Sequence, residues 1–317
     1  MFHPTDPILE CVPNFSEGRD QSVIDEIAHA IKSVADVRLL HTDIGYDANR
    51  TVYTFAGKPD AVAEAAYRSI RKASEIIDMR YHHGEHPRMG ACDVCPLIPI
   101  RNLRMEEAIV LSKELGKRVG ELGIPVYLYE YSATRRERKN LAYLRKGEYE
   151  NIAEKIKSQD WKPDYGPQEF NPTFGMMALG ARKFLIAYNV NLKTKDEDIA
   201  KKIAARIRES GTGKEKGLLP SVKAIGWFMK EFHRAQVSCN IIDFEVTSVK
   251  KLFDTVRNLA REYGTDTHGS ELIGMIPEKA LTAGFSSAEE AIHHLGLNML
   301  EHFDTDQRIL ERVLFKA

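Results

Sequence analysis

Eleven histidines are spread over the 317 residues, and three of them fall within the segment Tyr81-His82-His83-Gly84-Glu85-His86-Pro87-Arg88-Met89-Gly90. Imidazole has an ordinary pKa of about 6.5, so it takes up and gives back protons near neutrality. A loop held between a helix and a strand is where a scaffold presents such a group. His86 is the candidate base, because Pro87 restricts the backbone that follows it while Glu85 and Arg88 put charge beside it. His82 and His83 receive no role. Cys92 and Cys95 follow closely and raise a metal reading, which fails on spacing. No helical pattern carries His82 and His86 onto one face across Gly84 and Pro87, H-E-x-x-H is absent, and on a regular strand Cys92 and Cys95 point to opposite faces. Cys11, Cys92, Cys95 and Cys239 read as reduced, buried thiols, and no metal is expected. A redox Cys-x-x-Cys pair should open a helix, whereas this one enters a strand. Gly211-Thr212-Gly213-Lys214 is not a phosphate loop either, since Arg208 and Glu215 occupy the other required positions.

The elements that must hold this loop follow from periodicity. Ile8 to Val12 reads as a strand ending at Pro13, with a polar loop at Asn14 to Gly18. Asp20 caps a helix from about 21 to 34 whose apolar stripe is Val23, Ile24, Ile27 and Ile31. Strands follow at Val37 to Thr42 and Thr51 to Phe55, then a helix over 59 to 77 and a strand at Val94 to Ile100. The order β-α-β-β-α-β is that of a ferredoxin-like split βαβ unit, extended by a helix near 105 to 122 and a strand at Pro125 to Tyr129. Between 131 and 180 the pattern dissolves, and a domain junction is expected there. The second half repeats the order, with a strand at Phe184 to Val190 and a helix carrying Ile199, Ile203 and Ile207. Strands near 221 to 228 and 235 to 243, a helix over 248 to 262 and a strand around Leu272 to Ile276 complete it. A helical tail begins at a capping box, Ser287 to Glu290, and runs towards 301. The expected architecture is α/β (α+β), two ferredoxin-like βαββαβ subdomains over 1–179 and 180–317, with a substrate site between them.

Composition narrows the partners. With 43% hydrophobic and 29% charged residues the chain is an ordinary globular protein. Lys plus Arg (45) against Asp plus Glu (46) leaves a net charge of −1, no lure for nucleic acid or anionic lipid. The N-terminal residues lack the basic start and apolar run of a secretory signal, and no stretch of about 18 apolar residues offers a membrane span. No membrane or nucleic-acid partner and a cytoplasmic location are expected. A ferredoxin-like nucleic-acid-binding module is the reading from another class. The absence of an RNP1-like K-G-F-G-F run argues against it.

In chain order, E-C-V-P-N-F-S-E-G (10 to 18), N-R-T-V-Y-T-F (49 to 55), G-E-H-P-R-M-G-A (84 to 91), Ile124 to Tyr129 and R-K-G-E-Y-E (145 to 150) resemble the glutamate formimidoyltransferases. P-D-Y-G-P (163 to 167), G-A-R-K-F-L-I-A-Y-N-V-N-L (180 to 192), A-I-G-W (224 to 227), A-Q-V-S-C-N (235 to 240) and G-S-E-L-I-G (269 to 274) continue the likeness, which covers roughly 8 to 280. The resemblance implies transfer of a formimidoyl group between N-formimidoyl-L-glutamate and tetrahydrofolate in histidine degradation, with tetrahydrofolate as a substrate and no metal. It implies His86 as general acid/base and Asp43 as the carboxylate facing an amidinium-like charge. Arg50, Arg88 and Arg182 are candidates for binding carboxylates, or ordinary packing charges. It further implies that Gly166, Pro167, Gln168, Glu169, Phe170, Asn171, Pro172, Thr173, Phe174 and Gly175 form a folate-contacting loop. Phe170 and Phe174 either sandwich a pterin or close a core. A homodimer and a separate cyclodeaminase are expected partners. The motifs do not separate an oxygen from an NH on the migrating carbon, so a glutamate formyltransferase using 5-formyltetrahydrofolate is the nearest alternative.

Overall fold

The computed structural model describes residues 3, 5–46, 48–84, 86–213, 215–229 and 232–315; Glu85 and Lys214, named above, lie outside them. Two compact units meet in sequence at Arg182 and Lys183.

In the first unit β1 (Ile8–Cys11) and β2 (Asn14–Phe15) are one strand interrupted at Val12-Pro13. Pro13 has no N–H for a ladder, and its carbonyl accepts from the Tyr53 N–H at 3.1 Å. Pairing resumes beyond it, where a loop was expected. Helix α1 (Gln21–Lys32) is capped by Asp20, whose carboxylate accepts from the Ser22 and Val23 N–H groups, and it buries Ile24, Ile27 and Ile31. Then come β3 (Val37–Gly45), β4 (Arg50–Gly57), α2 (Pro59–Ile76) and β5 (Cys92–Arg101). These strands lie in the antiparallel order β3-β4-β1/β2-β5, the ferredoxin-like arrangement. The helices bury one face, with Phe15, Tyr53, Phe55, Ile70 and Leu97 in the core. Alternation from Tyr53 and Phe55 turns Arg50 and Val52 to the opposite face, and Asp43, paired with Val52, joins them there.

The β2–β5 ladder contains a bulge. Asn14 pairs with Val94 and Phe15 with Cys92, which leaves Asp93 as the extra residue. The shift brings Cys92 and Cys95 into the same core, correcting their expected opposition, and Cys95 Sγ lies 3.5 Å from Cys11 Sγ.

The unit continues through α3 (Met105–Gly120), β6 (Val126–Leu128), α4 (Leu141–Arg145), α5 (Ile152–Lys155) and β7 (Met177–Ala181). β7 lies parallel between β5 and β6 and is buried throughout. It was hidden in the expected irregular segment because Met-Ala-Leu-Gly-Ala has no β-branched or aromatic residue. A strand covered on both faces needs only small apolar side chains.

The second unit comprises β8 (Ile186–Leu192), α6 (Glu197–Ile207), β9 (Val222–Met229), β10 (Arg234–Ile241), α7 (Val249–Glu262) and β11 (Thr267–Ile273). Its antiparallel order, β9-β10-β8-β11, repeats the ferredoxin-like topology on a separate core containing Val190, Val237, Leu252 and Val256. β11 begins five residues before the expected Leu272, through the polar run Thr267 to Glu271. Gly269, at φ 75°, accompanies a register shift there. The tail forms α8 (Glu278–Leu281), α9 (Ala288–Leu295), α10 (Thr305–Arg308) and α11 (Leu310–Phe315). Gly296 in the left-handed conformation stops α9 short of the expected 301. Leu281, Leu295 and Ile309 of the tail complete the second core. Among the described residues no helix is long and apolar enough to cross a membrane.

Candidate active site

The His86 loop is pinned at both ends by neighbouring segments. At its start, His82 is buried and its Nε2–H donates to the Asn49 carbonyl at 2.7 Å. Asn49 returns the contact, its side-chain amide donating to the His83 carbonyl at 3.0 Å while its Oδ1 accepts from the Gly18 N–H. Asn49 sits at φ 46°, a conformation asparagine tolerates better than most residues. Gly84 permits the close approach, for a Cβ there would meet the Ala48 carbonyl oxygen at 2.1 Å. The β3–β4 turn therefore braces the first half of the loop.

At its far end Arg88 is buried and forks onto Glu148, at 3.0 Å, and Glu150, while its carbonyl accepts from the Tyr149 N–H at 2.9 Å. Met89 donates its N–H to Asp93 Oδ1 at 3.0 Å and accepts the Met176 N–H at 2.9 Å. Asp93 is wholly buried, and its Oδ2 accepts from Arg145 Nε at 2.9 Å and from Arg145 Nη2.

Between these clamps, His86 Nδ1 lies 2.7 Å from the Pro87 carbonyl, which can only accept, so Nδ1 carries the hydrogen and Nε2 the lone pair. Arg50 Nη1 lies 2.7 Å from Nε2 and 2.9 Å from Nδ1, and with Nδ1 protonated its acceptor on the ring is Nε2. Burial, then the positive charges of Arg50 and Arg145, hold His86 below the usual imidazole value; Pro87 and Asp93 oppose them. Arg50 is itself lowered to about 10 by burial and by Arg145, against Asp93 and Asp43, and stays cationic at neutral pH. The result is a neutral imidazole with one basic nitrogen, in a cationic surround.

Asp43 is exposed on β3, on the same face as Arg50, and its charge reaches that guanidinium. Arg88 is engaged by glutamates rather than presented as a fork. Arg182 follows β7, donates its N–H to the Leu97 carbonyl at 3.0 Å, and lies with Arg145 near the buried Tyr129. The loop from Gly166 to Gly175 is held by its own polar groups. Gly166 takes φ 81° and Gln168 donates to the Ile156 and Ser158 carbonyls. Asn171 Oδ1 accepts from Thr173 Oγ1 and the Phe174 N–H, and the Pro172 carbonyl accepts from the Tyr149 hydroxyl. Pro167 and Glu169 are exposed. Phe170 packs 5.6 Å from the Tyr149 ring, whereas Phe174 is 1% exposed and belongs to the first core. Gly175 abuts the His86 loop, since a Cβ there would lie 2.3 Å from the Met89 carbonyl oxygen.

Sequence reasoning gave no role to Asn49, Asp93, Arg145, Glu148 or Glu150. A signal existed for Asp93, an acid inside the apolar run Cys92 to Ile100, where a carboxylate is buried only with a partner. Among the described residues no group of three or more His, Cys, Asp or Glu is arranged to hold a metal ion.

Comparison with known proteins places this geometry. Residues 8–182 match the N-terminal subdomain of the formiminotransferase domain, and 187–289 match the formiminotransferase domain. The chain is 46% identical to the glutamate formimidoyltransferase of Streptococcus pyogenes serotype M1, over 97% of this chain and 98% of that protein. With the Thermoplasma acidophilum glutamate formimidoyltransferase it shares 43% identity, over 98% of each chain. It is 46% identical to the formimidoyltransferase-cyclodeaminase of Dictyostelium discoideum over 96% of this chain, and it spans 60% of that longer relative's length. Both units carry the family's match on the fold that presents the His86 loop, and the chain belongs to the formiminotransferase family.

Proposed function

We propose that this chain transfers a formimidoyl group between N-formimidoyl-L-glutamate and tetrahydrofolate, with His86 as general acid/base. One observation supports the assignment of the base: His86 Nδ1 lies 2.7 Å from the Pro87 carbonyl, an acceptor that leaves the lone pair on Nε2, in a loop clamped at both ends. The names and coverage of the Streptococcus and Thermoplasma relatives support the choice of reaction.

In the forward direction N5 of tetrahydrofolate attacks the formimidoyl carbon, and the C=N π pair moves onto the imino nitrogen. His86 Nε2 takes the N5 proton as the new C–N bond forms. The pair on the imino nitrogen then re-forms C=N as the bond from carbon to the glutamate nitrogen breaks, and the same proton passes to that nitrogen, releasing L-glutamate and regenerating neutral His86. In reverse, the glutamate ammonium must first lose a proton before it attacks. Asp43 favours the amidinium-like charge on the migrating group. Glutamate and the folate tail are carboxylates, and Arg50 and Arg182 supply guanidinium groups for them. The loop from Gly166 to Gly175 contacts the folate, with Phe170 as its aromatic surface and Phe174 as the buried anchor. A homodimer, tested by light scattering, is the assembly proposed, and the formimidoyl-folate product passes to a cyclodeaminase.

The test is turnover of N-formimidoyl-L-glutamate with tetrahydrofolate against N-formyl-L-glutamate with the same acceptor. Formimidoyl transfer should dominate and fall about 10²- to 10⁴-fold in His86→Ala, with folate binding retained. Full turnover in that variant would remove His86 as the base, and turnover of the formyl compound alone would replace the reaction.

A further inference from the structure

Asp93 is fully buried at a bulge in an apolar strand, and its two oxygens serve two partners. Oδ1 accepts the Met89 N–H at 3.0 Å and so fixes the exit of the His86 loop. Oδ2 takes Arg145, the last residue of α4, whose segment runs on to Glu148 and Glu150 and through them to Arg88. One ion pair thus stands where two restraints on the same loop cross. We propose that the buried Asp93–Arg145 pair is a positioning device for His86, holding the loop that carries the ring and balancing the charge the ring experiences, while touching neither substrate nor transferred group. This rests on the reading of His86 as the base.

Arg50 of β4 touches the His86 ring, the charges of Arg145 on α4 and Asp93 on β5 also act on it, and that of Asp43 on β3 acts on Arg50. A base must become an imidazolium during proton transfer, and two guanidinium groups oppose that. Asp93 supplies the opposing negative charge, and Arg145 keeps that carboxylate from holding a proton on the ring permanently. Neutralising the two partners therefore has opposite consequences. Asp93→Asn leaves two cations facing the ring and makes protonation harder. Arg145→Gln leaves a buried carboxylate and makes it easier. A brace without electrostatic function would produce no shift, or would loosen the loop in both variants and move the ring the same way in each.

The experiment is an NMR titration of the full chain with ring-labelled histidine, His86 being identified by the signal lost in His86→Gln. His86 should titrate lower in Asp93→Asn and higher in Arg145→Gln, each by on the order of one pH unit, with the acid limb of kcat/KM following. Arg145→Lys keeps the charge without the fork, so it should leave the titration in place while turnover falls about tenfold through looser positioning. It also decides the matter if Arg145→Gln does not fold. Shifts of the same sign in Asp93→Asn and Arg145→Gln, no shift in either, or a shift in Arg145→Lys of the size expected for loss of the charge would overturn the proposal. If His86→Gln keeps full turnover, the base assignment falls instead, while the titrations still decide the role of the pair.

Discussion

In the role proposed for it, His86 can take a proton only while its ring is neutral, and Arg50 does most among the neighbouring charges to keep it so. The depressed imidazole pKa places the acid limb of kcat/KM below the ordinary 6.5. Arg50→Met removes the nearest positive charge, so protonation of His86 becomes easier and the limb should move upward, towards 6.5. Activity on the acid side then falls first. Arg50→Lys keeps a charge but loses the planar fork, so the limb should stay near its original position while KM for the glutamate substrate rises about 10- to 100-fold. Paired pH profiles of the two variants measure this. An unchanged limb in Arg50→Met would show that Arg50 does not set the charge state of the ring.

At the scale of elements, the His86 loop owes its place to a turn on one side and the segment from Arg145 to Glu150 on the other. Gly84→Ala tests the first brace, because the added carbon would lie 2.1 Å from the Ala48 carbonyl oxygen and the loop must move. Overpacking of this kind costs about 1–3 kcal/mol. A displacement of about 1 Å at His86 should lower kcat about 10²-fold, well beyond the effect on Tm. Unchanged kcat with a lowered Tm would mean that the turn stabilises the protein without positioning the base. The loop that carries His86 was legible because histidine, proline and arginine occur together between recognisable elements. Its supports were not, because hydrogen bonds such as Asn49 to His83 and Arg88 to Glu150 join residues 34 and 62 positions apart. The acid at Asp93 stood out within its apolar run, but the bulge that places it is defined by the partner strand, and the sequence of β5 alone does not contain it. β7 was hidden by its small, unbranched residues, whereas the amphipathic stripes of α1 and α7 made those helices plain.

Across the whole molecule, the same repeat of hydrophobic periodicity that revealed two ferredoxin-like units also determines where titratable groups are buried. His82 lies in the first unit with Nε2–H on a carbonyl and Nδ1 without a hydrogen-bond partner, and burial holds its pKa below 6.5. His86 is held low as well. For both, the unfolded chain binds protons at a higher pH than the folded chain does. Their neutral, folded arrangement is therefore fully favoured above about pH 6.5, and stability declines as pH falls through that value towards their lower folded values. Carboxylates with depressed pKa values, such as Glu150 beside Arg88 and Asp254 beside Lys250, also lose stabilisation in acid, but only as pH drops below about 4.5. Acid destabilisation should thus come in two separable windows. Unfolding free energies from urea titrations between pH 7.5 and about 2.5 should begin to fall near 6.5, with a slope of up to about 1.4 kcal/mol per pH unit for each histidine concerned. His82→Gln, which removes one titrating ring while its amide can still donate to Asn49, should flatten the upper window and leave the lower one intact. An upper window unchanged in that variant would mean that His82 titrates alike in the folded and unfolded chain, and the lowering of its pKa by burial would have to be abandoned.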